Sequence, residues 1–343
     1  MNHTMKKMLT AALVVAMTAS LAACGSAGTA SSSASASASA SGSAGGSGKY
    51  LIGIAQYGEH PSLDNCRTGF LDGLKQAGLV EGTDFSVDYQ NAGFDDSIDT
   101  QIAQSFSAEN ADLMVGIATP SAIACYAAAE DKNIPVIFTA VTDPKAAELT
   151  AGNCTGTSDK LPVKAQMDLI RQLQPNAKTI GIIYTTSEPN SVSAIAEYKA
   201  EAGGCGFTID DVGVTSQAEV TQAVDKLLAD GVDCLSNLTD NNVVGVLSSI
   251  LEKTNESGVP VYGSEVEQVK IGCVAAAGID YYQLGIQTGK MAAQVLTGEK
   301  TCDDIPFETI SEYGIYINSD ALSSMKITLP DSIASKAVES SKA

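Results

Sequence analysis

From residue 49 onward, short apolar runs alternate with amphipathic stretches, and the whole pattern occurs twice. In the first half, 50–55 is an apolar run typical of a buried strand, and apolar residues of 66–77 recur at the spacing of one helical face. In the second half, 179–184 mirrors that strand, and 191–202 is again helical in pattern. Such alternation is typical of parallel sheets covered by helices on both faces. The sequence therefore predicts an α/β protein with two similar βα lobes of comparable size.

The other elements follow from the same periodicities. The remaining predicted strands are 85–89, 113–117, 134–138, 207–212, 232–235, 259–262, 271–274 and 313–317, and the remaining helices are 98–106, 121–130, 220–228, 242–254 and 282–296. In open parallel sheets, ligands bind beyond the carboxyl ends of the strands. Two lobes that face each other with those ends would enclose a ligand and close on it by a hinge.

The first 23 residues have the features of an export signal. Lys6 and Lys7 precede a mostly apolar stretch over 8–19, which is too short to span a bilayer comfortably. The Leu-Ala-Ala sequence before Cys24 resembles a bacterial lipobox, in which the cysteine carries diacylglycerol and becomes the first mature residue. The alternative is an ordinary cleaved signal with an incidental cysteine. The sequence predicts a lipoprotein signal peptide over 1–23 and lipid on Cys24, which would anchor the protein at the extracytoplasmic face of a bacterial membrane.

A neutral segment separates Cys24 from the folded body. Residues 25–48 are Ser, Ala and Gly with one Thr, a composition that cannot bury enough surface to fold. We therefore expect 24–48 to be the lipidated cysteine and a flexible tether, with a reach of roughly 25–30 Å.

The charge balance excludes one class of partner. The chain has 40 acidic and 20 basic side chains, a formal net charge of −20. Phosphate contacts need Lys and Arg, so the sequence argues against nucleic acid. Because Arg67 and Arg171 are the only arginines, a clamp of several arginines on a phosphate or carboxylate is not expected either.

The scarcity of histidine argues against an enzyme. His3 would leave with the signal, so His60 is the only histidine of the mature chain, and no Gly-x-Ser-x-Gly elbow occurs. We expect His60 to be a loop or cleft residue. The sequence has no Cys-x-x-Cys, no paired histidines and no glycine-rich phosphate loop, so it predicts neither a metal site nor a cofactor. The seven cysteines other than Cys24 are expected to be mostly free buried thiols.

Polar side chains follow the predicted strands of both halves, at the edge where ligands bind. The first half places Thr119, Ser121 and Thr142 there, and a helix start at this edge offers free N–H groups and a dipole that can hold a carboxylate. The second half places the acidic residues Asp240 and Glu265 after its strands. An α-amino acid, anionic at one end and cationic at the other, matches that division. The alternative is that these residues only cap helices.

Short motifs occur in order along the folded body: Gln-Tyr-Gly-Glu-His-Pro at 56–61, Tyr-Gln-Asn-Ala at 89–92, Gly-Ile-Ala-Thr-Pro at 116–120, Ala-Val-Thr-Asp-Pro at 140–144, Thr-Gly-Thr-Ser-Asp at 155–159, Pro-Asn-Ser at 189–191, Thr-Asp-Asn at 239–241 and Gly-Ile-Asp-Tyr-Tyr-Gln-Leu-Gly at 278–285. In these motifs the chain resembles the tryptophan/tyrosine ABC-transporter substrate-binding proteins. The resemblance extends from about residue 49 to 330.

The resemblance implies a type I periplasmic-binding-protein fold, in which two Rossmann-like lobes are joined by a three-crossover hinge and the ligand lies in the cleft. It places the N-terminal lobe at 49–150 plus 278–300 and the C-terminal lobe at 151–277 plus 301–330, and leaves 331–343 as a tail. The late helix near 282 is expected in the first lobe and the last strand in the second.

The resemblance also implies which residues bind the ligand, in four roles: hydroxyls for its carboxylate, acids for its ammonium, an aromatic ring for stacking, and second-lobe hydrogen-bonding groups. The hydroxyls for the carboxylate are those of Thr119, Ser121 and Thr142, and the acid for the ammonium is Asp240, with Asp143 or Glu265 as alternatives. The stacking ring is that of Tyr57, and the second-lobe hydrogen-bonding groups are those of Asn190, Ser191 and Asn241.

The function implied is that of a monomeric, membrane-tethered solute receptor of an ABC importer. It would bind a small amino acid, aromatic like Trp or Tyr, and deliver it to a permease with its ATPase. A lipoprotein ligand sensor of the same fold is the first alternative, and an extracellular hydrolase is the least favoured one.

Overall fold

The computed structural model describes residues 49–310 and 313–341. The predicted signal peptide, the predicted lipidation site Cys24 and the predicted tether lie outside the described residues. In chain order, the strands are β1 (Tyr50–Gln56), β2 (Phe85–Asn91), β3 (Leu113–Ile117), β4 (Val136–Thr139), β5 (Cys154–Ser158), β6 (Thr179–Thr185), β7 (Thr208–Val214), β8 (Cys234–Ser236), β9 (Val261–Glu265), β10 (Ala275–Ile279), β11 (Glu308–Thr309), β12 (Gly314–Ile317) and β13 (Ala337–Glu339).

The helices cover both faces of the sheets that these strands form. In chain order, they are α1 (Pro61–Gln76), α2 (Asp96–Ala108), α3 (Thr119–Ala129), α4 (Val163–Leu173), α5 (Pro189–Ala202), α6 (Gln217–Asp230), α7 (Asn241–Gly245), α8 (Leu247–Ser257), α9 (Val266–Ile271), α10 (Tyr281–Leu296), α11 (Ser319–Ser324) and α12 (Asp331–Ala334). Short 3-10 turns lie at Glu130–Lys132 and Cys302–Asp304.

The strands form two sheets with the same internal order. The first sheet runs β2-β1-β3-β4-β5-β11 and is parallel throughout. The second runs β7-β6-β8-β9-β10-β12-β13, with β12 antiparallel to β10. The described chain passes between the sheets three times: after β5, after β10, and between β11 and β12. The α/β fold class predicted from the sequence is confirmed, as are the two Rossmann-like lobes and the three-crossover hinge that the resemblance implies.

Each sheet has its own buried core. One hydrophobic cluster surrounds the first sheet and includes Ile54, Phe70 and Phe138. Two clusters lie on the two faces of the second sheet, one around Tyr198 and the other around Leu227. Fully buried parallel strands have apolar side chains on both faces, which explains why the strands read as continuous apolar runs in the sequence.

The first lobe extends further along the chain than the boundary at 150/151 expected from the resemblance. Cys154–Ser158 is β5, which pairs with β4 and therefore belongs to the first sheet. Its sequence, Cys-Thr-Gly-Thr-Ser, has little of the apolar character that marks a buried strand. Its hydroxyls are satisfied inside the lobe: Thr155 donates to the carbonyl of Ile305 at 2.6 Å, and the hydroxyls of Thr157 and Thr288 are 2.7 Å apart.

The other expected boundaries also move. Residues 278 and 279 remain in β10 of the second sheet, whereas Cys302 packs in the first core and β11 extends the first sheet. The expected tail at 331–343 contains α12 and β13, and β13 pairs with the free edge of β12. Ile333 is fully buried there. These segments are too short to show a periodicity of their own.

Two other predicted elements are wrong. The expected strand at 271–274 is instead the end of α9 and the turn after it, and the strand β10 begins at Ala275. The expected helix at 242–254 is interrupted at Val246, where α7 ends and α8 begins.

The helix α10 returns to the first lobe and packs closely against α1. A Cβ atom on Gly285 would lie 2.0 Å from the carbonyl oxygen of Cys66, and one on Gly289 would lie 2.1 Å from that of Phe70. Backbone contact at this distance requires residues without side chains. Because α10 directly follows the second crossover, this contact fixes where the chain re-enters the first lobe from the hinge.

Candidate functional site

A small cavity lies where the carboxyl-terminal edges of the two sheets face each other. Its free volume is about 10 Å³, room for roughly one water molecule. The first lobe and the hinge contribute His60, Ser62, Leu63, Ala140, Asp159 and Tyr281 to its walls. The second lobe contributes Asn190, Thr239, Asn241, Val244, Glu265 and Gln268. No Lys or Arg is among them. This cavity lies where a fold of two facing lobes is expected to bind its ligand.

Side-chain pairs bridge the lobes directly around this cavity. The pairs are Ser62 Oγ donating to Glu265 Oε1 at 2.9 Å, the hydroxyls of Thr142 and Thr239 at 3.3 Å, His60 Nε2 and Asn241 Oδ1 at 3.4 Å, and Ser193 Oγ donating to Asp143 Oδ2 at 3.5 Å. The lobes are therefore closed on each other.

Two first-lobe helices start at this edge without a side-chain cap. The N-cap residue of α1 is His60 and that of α3 is Ala118, and neither makes a capping hydrogen bond. The first N–H groups of a helix have no intrahelical partner, and they carry the positive end of the helix dipole. The start of α1 lines the cavity through Ser62. The first lobe thus offers uncompensated donors to an anion.

The first position of α3 adds an unpaired hydroxyl. Thr119 is 1% exposed, and its Oγ1 has no hydrogen-bond partner within the described residues. The preceding residue, Ala118, has a φ of +81°, and Ala140, which follows β4 at the same edge, has a φ of +56°. Alanine rarely adopts this region, and non-glycine residues held there cluster at binding sites.

In the second lobe, α7 and α9 are capped by acids, whereas α5, the counterpart of α1, has no side-chain cap. Asp240 caps α7, and its carboxylate accepts hydrogen bonds from the N–H of Thr185 at 2.5 Å, the Thr185 hydroxyl at 2.8 Å, the Ser191 hydroxyl at 2.7 Å and the N–H of Val243 at 2.9 Å. All four donors belong to the second lobe. Asp240, expected to bind an ammonium group, is therefore fully engaged and does not line the cavity.

Glu265 caps α9 and also faces the cavity. Its carboxylate accepts the N–H groups of Glu267 at 2.6 Å and Gln268 at 3.0 Å, in addition to the hydroxyl of Ser62 from the other lobe. The side chain is fully buried, and burial raises its pKa to about 8. Of the predicted acids, Glu265 is the one that reaches the cleft.

A second cavity carboxylate, Asp159, lies in the first crossover. It accepts a hydrogen bond from Thr142 Oγ1 at 2.8 Å and another from the phenol of Tyr281, the first residue of α10. Burial raises the pKa of the Asp159 carboxyl. The sequence analysis did not single Asp159 out, although it ends one of the motifs that carry the resemblance.

Glu188 is a further buried acid that the sequence analysis missed. Its carboxylate accepts hydrogen bonds from the side-chain and backbone N–H groups of Asn241 and Asn242 and from the side chain of Asn190, at 2.7–3.2 Å. Burial, followed by the nearby Asp240 carboxylate, raises its pKa to about 8. The sequence does contain a pattern that could have indicated Glu188. Glu188 precedes the helix-starting Pro189, as Glu59 and His60 precede the helix-starting Pro61 in the first half.

His60 is a cleft residue, as its position after the first strand suggested. The ring is 7% exposed, its Nε2 faces Asn241, and its Nδ1 has no partner within the described residues. Burial lowers the pKa of His60 to about 4. The imidazole is therefore neutral at pH 7 and presents an unpaired nitrogen.

Three predicted site residues point to neighbouring helices instead of the cavity. Tyr57 donates to Asp96 Oδ1 at 2.8 Å, and its ring meets Phe94 edge-on at 6.0 Å between centroids. Ser121 donates to Asp99 Oδ1 at 2.8 Å. Ser191 supports Asp240, as described above.

The remaining predicted residues lie at the cavity or its rim. Asn190 and Asn241 line the cavity, and the side-chain oxygen of Asn190 has no partner within the described residues. Thr142 touches the cavity residues Asp159 and Thr239. Asp143 is on the rim, where its Oδ1 accepts the N–H groups of the following turn and Ser193 donates to Oδ2.

A scan against protein-family models matches residues 51–341 to the ABC transporter substrate binding protein family. The chain belongs to this family. A substrate-binding protein of this kind binds a small molecule outside the cytoplasm and works with an ABC transporter. Within the described residues, no helix combines the length and the apolar composition needed to cross a membrane.

Relatives with a stated ligand are similar to this substrate-binding protein. The tyrosine-binding protein of Clostridioides difficile is 39% identical over 280 residues, which cover 80% of each chain. The ABC domain from Streptococcus pneumonia solved in complex with L-Trp is 34% identical, with a TM-score of 0.80 over 85% of this chain and 99% of that one. A conserved domain protein from Vibrio cholerae is 35% identical, with a TM-score of 0.81 over the same shares.

An open relative shows how the lobes are arranged here. The ligand-free, open structure of a substrate-binding protein with adhesive properties from Clostridium difficile is 36% identical over 85% of this chain and 99% of that one, but its TM-score is 0.62. At nearly equal identity, the agreement with the L-Trp complex is much better. The two lobes described here are thus arranged as in the ligand-bound relative, in agreement with the side-chain pairs that bridge the cleft.

Proposed function

We propose that this substrate-binding protein closes on an α-amino acid with an aromatic side chain and delivers it to an ABC permease with its ATPase. The observation that carries the proposal is the unequal treatment of the helix starts at the cleft. The first lobe leaves α1 and α3 without side-chain caps, the second lobe caps α7 and α9 with Asp240 and Glu265 although it leaves α5 uncapped, and no Lys or Arg lines the cavity. A zwitterion compensates both sides at once.

In this proposal, the carboxylate of the ligand binds to the first lobe. Thr119 offers an unpaired buried hydroxyl, and α1 and α3 offer first-turn N–H groups that no side chain caps. Backbone donors at a helix start hold an anion without an arginine. Thr142 contributes through its contact with Asp159. Ser121 has a different part, because its hydroxyl positions Asp99 at the back of α3.

The ammonium group of the ligand binds to Asp159 and Glu265. Both carboxylates are buried at the cavity, and neither has a cation beside it among the cavity residues. A buried carboxylate without a cation is costly in its ionised form, so an ammonium group gains a strong partner there. In the closed arrangement described here, the Ser62 hydroxyl donates to Glu265 at that place. Asp240 and Ser191 then serve to hold α7, with Asn190 and Asn241 as hydrogen-bonding groups of the second lobe.

The aromatic character of the ligand rests on the relatives that bind Tyr or L-Trp, and on the apolar part of the cavity at Leu63, Ala140 and Val244. An aromatic ring needs far more than the 10 Å³ that is free in the closed arrangement. The lobes must therefore part to admit the ligand, and around the bound ring they must leave more room than they do here. Tyr57 lies behind the apolar part of the cavity, where its ring packs on Phe94.

Anchoring and assembly belong to the same proposal. Lipid on Cys24 and a neutral tether would hold a monomeric, acidic body near the membrane without pressing it against anionic lipid heads. Labelling with radioactive palmitate tests the anchor: wild type should incorporate label and Cys24→Ala should not. Light scattering of the purified folded body tests the monomer.

Titration calorimetry and thermal shift with Trp, Tyr, Phe and a branched-chain set test the ligand class. The expected result is heat and a raised Tm with at least one aromatic amino acid. Tryptamine, which lacks the carboxylate, and indole-3-propionate, which lacks the ammonium, should both bind much more weakly than Trp. No response to any amino acid would overturn the proposal.

A further inference from the structure

A second and larger cavity lies at the rim of the lobe interface, separate from the cleft. Its volume is about 380 Å³, against about 10 Å³ in the cleft. The helices α2 and α3 of the first lobe form most of its wall, and Ser187 and Pro189, at the start of α5, close it from the second lobe. None of its residues lines the cleft cavity.

The wall of this rim pocket is mostly apolar. Pro120, Ile123, Ala124 and Ala128 of α3 face Pro189 across it. Thr100 and Gln104 are the neutral polar residues that α2 contributes. A concave apolar pocket with a few convergent polar groups is the usual form of a small-molecule site.

Two carboxylates, Asp96 and Asp99, give the rim pocket its charge, and no Lys or Arg lines it. Asp96 accepts the phenol of Tyr57 and Asp99 the hydroxyl of Ser121, in each case through Oδ1. Within the described residues, the Oδ2 atom of each has no hydrogen-bond donor. Asp99 is 1% exposed, and burial raises its pKa to about 6, as expected of a carboxylate that lacks a cation.

We propose that the rim pocket binds a small organic cation, namely an ammonium group attached to an apolar body of about one ring. The ammonium pairs with Asp96 and Asp99 through their unused oxygens, and the ring packs on the alanines of α3. The pocket volume accommodates such a molecule, and the charge of the wall excludes its anionic counterpart.

The rim pocket is also linked to closure of the lobes. Because Ser187 and Pro189 supply one wall, the pocket is complete only when the second lobe lies against the first. A ligand that binds only the closed arrangement stabilises it, and by linkage it tightens binding in the cleft by the same factor. This second effect rests on the proposed function, whereas the existence of the rim site does not.

Benzylammonium is the probe, titrated into the folded body by calorimetry, with benzoate and benzyl alcohol of similar size as controls. Wild type should bind benzylammonium with a higher affinity than either control. Ala124→Phe fills the pocket and should abolish binding, and the exposed wall variant Ala127→Phe should weaken it in case the first variant folds poorly. Asp99→Asn should weaken binding at least about tenfold, and Asp131→Asn, an exposed acid beyond the far end of α3, should leave it unchanged.

The cleft variant Glu265→Gln separates this site from the amino-acid site. Benzylammonium binding should survive in Glu265→Gln and disappear in Ala124→Phe. Absence of binding to wild type, or binding that Glu265→Gln removes and Ala124→Phe does not, would overturn the rim site, and neither result would bear on amino-acid binding in the cleft.

Discussion

The two lobes repeat one strand order but differ in how two cleft-facing helices of each begin, although α5 of the second lobe is uncapped and α10 of the first is capped by Asp280. In the first lobe, α1 and α3 begin after His60 and Ala118, which supply no cap. In the second lobe, α7 and α9 begin after Asp240 and Glu265, whose carboxylates bind the first N–H groups. A duplicated fold thus presents a positive edge on one side of the cleft and a negative edge on the other. Under the proposed function, this difference would orient a zwitterion without using any arginine.

The two edges also differ in how their polar groups are satisfied. The first lobe leaves unpaired atoms, Thr119 Oγ1 and His60 Nδ1 among the described residues. The second lobe pairs its acids with hydrogen-bond donors but gives the cavity no cation, and burial raises the pKa of Glu188 and Glu265 to about 8. The Thr119 hydroxyl therefore lacks an acceptor and the buried acids lack a cation, and the proposed ligand would supply both.

The largest expected effect follows from removing the negative edge. Glu265→Gln keeps a side-chain acceptor for the start of α9 but removes the charge that pairs with the ammonium. Loss of a charged hydrogen bond costs about 2–3 kcal/mol, so affinity for the amino acid should fall about 30- to 100-fold. Calorimetry measures this change, with the exposed Glu252→Gln as the matched control. Equal affinity in both variants would remove Glu265 from the site.

The second prediction concerns pH. The folded-state pKa of Glu265 is raised to about 8 by burial, well above the value of about 4.3 in an unfolded chain. The ligand-free protein should therefore lose stability as pH rises from about 4.5 to 8, by at most about 1.4 kcal/mol per pH unit for this group. Glu188 and Asp99 act in the same direction, whereas His60, whose pKa is lowered to about 4, opposes them between pH 4 and 6.5.

Thermal unfolding from pH 5 to 8 measures this dependence. The slope of stability against pH should be smaller in Glu265→Gln than in wild type. In wild type it should also become smaller with a saturating amino acid, whose ammonium stabilises the ionised carboxylate. A slope that neither change reduces would show that Glu265 does not titrate in the cleft.

The third prediction breaks the positive edge. Thr119→Val removes a hydroxyl that has no internal partner, so stability should stay within about 0.5 kcal/mol while affinity falls about fivefold to tenfold. Ser121→Ala, two residues further along the same helix, should do the reverse, because it leaves buried Asp99 without its donor. Unfolding curves and calorimetry on the two variants separate these outcomes. Loss of affinity only in Ser121→Ala would reverse the assignment of the two hydroxyls.

The smallest expected effect on binding comes from Asp240. Its four donors all lie in the second lobe, so Asp240→Asn should destabilise the protein by about 1–3 kcal/mol and change affinity by less than about threefold. Thermal unfolding and calorimetry give both numbers. A large loss of affinity with normal stability would show instead that Asp240 binds the ammonium group of the ligand.

The sequence predicted most of the architecture because apolar periodicity reports burial, and burial decides where strands and helices lie. It failed at β5, whose buried positions hold threonines that pair with Thr288 and with the carbonyl of Ile305. A buried polar strand has no apolar pattern to detect. The short closing elements α12 and β13 were missed because a few residues carry no period.

The site was predicted to the correct edge but not to the correct side chains. Position in the chain places Thr119 and Ser121 together, yet only the structure shows that the Ser121 hydroxyl is taken up by Asp99. Likewise, Asp240 and Glu265 both follow second-lobe strands, and the direction of each side chain decides which one reaches the cavity. Asp159 emerged only from the crossover that brings it beside Tyr281.

A crystal structure of the complex with L-Tyr or L-Trp tests the central claim most directly, because it shows the orientation of the ligand. The account predicts the ammonium nitrogen at about 3 Å from the carboxylates of Glu265 and Asp159, and the ligand carboxylate against Thr119 and the first N–H groups of α1 or α3. A ligand bound the other way round, or with its ammonium on Asp240, would contradict it.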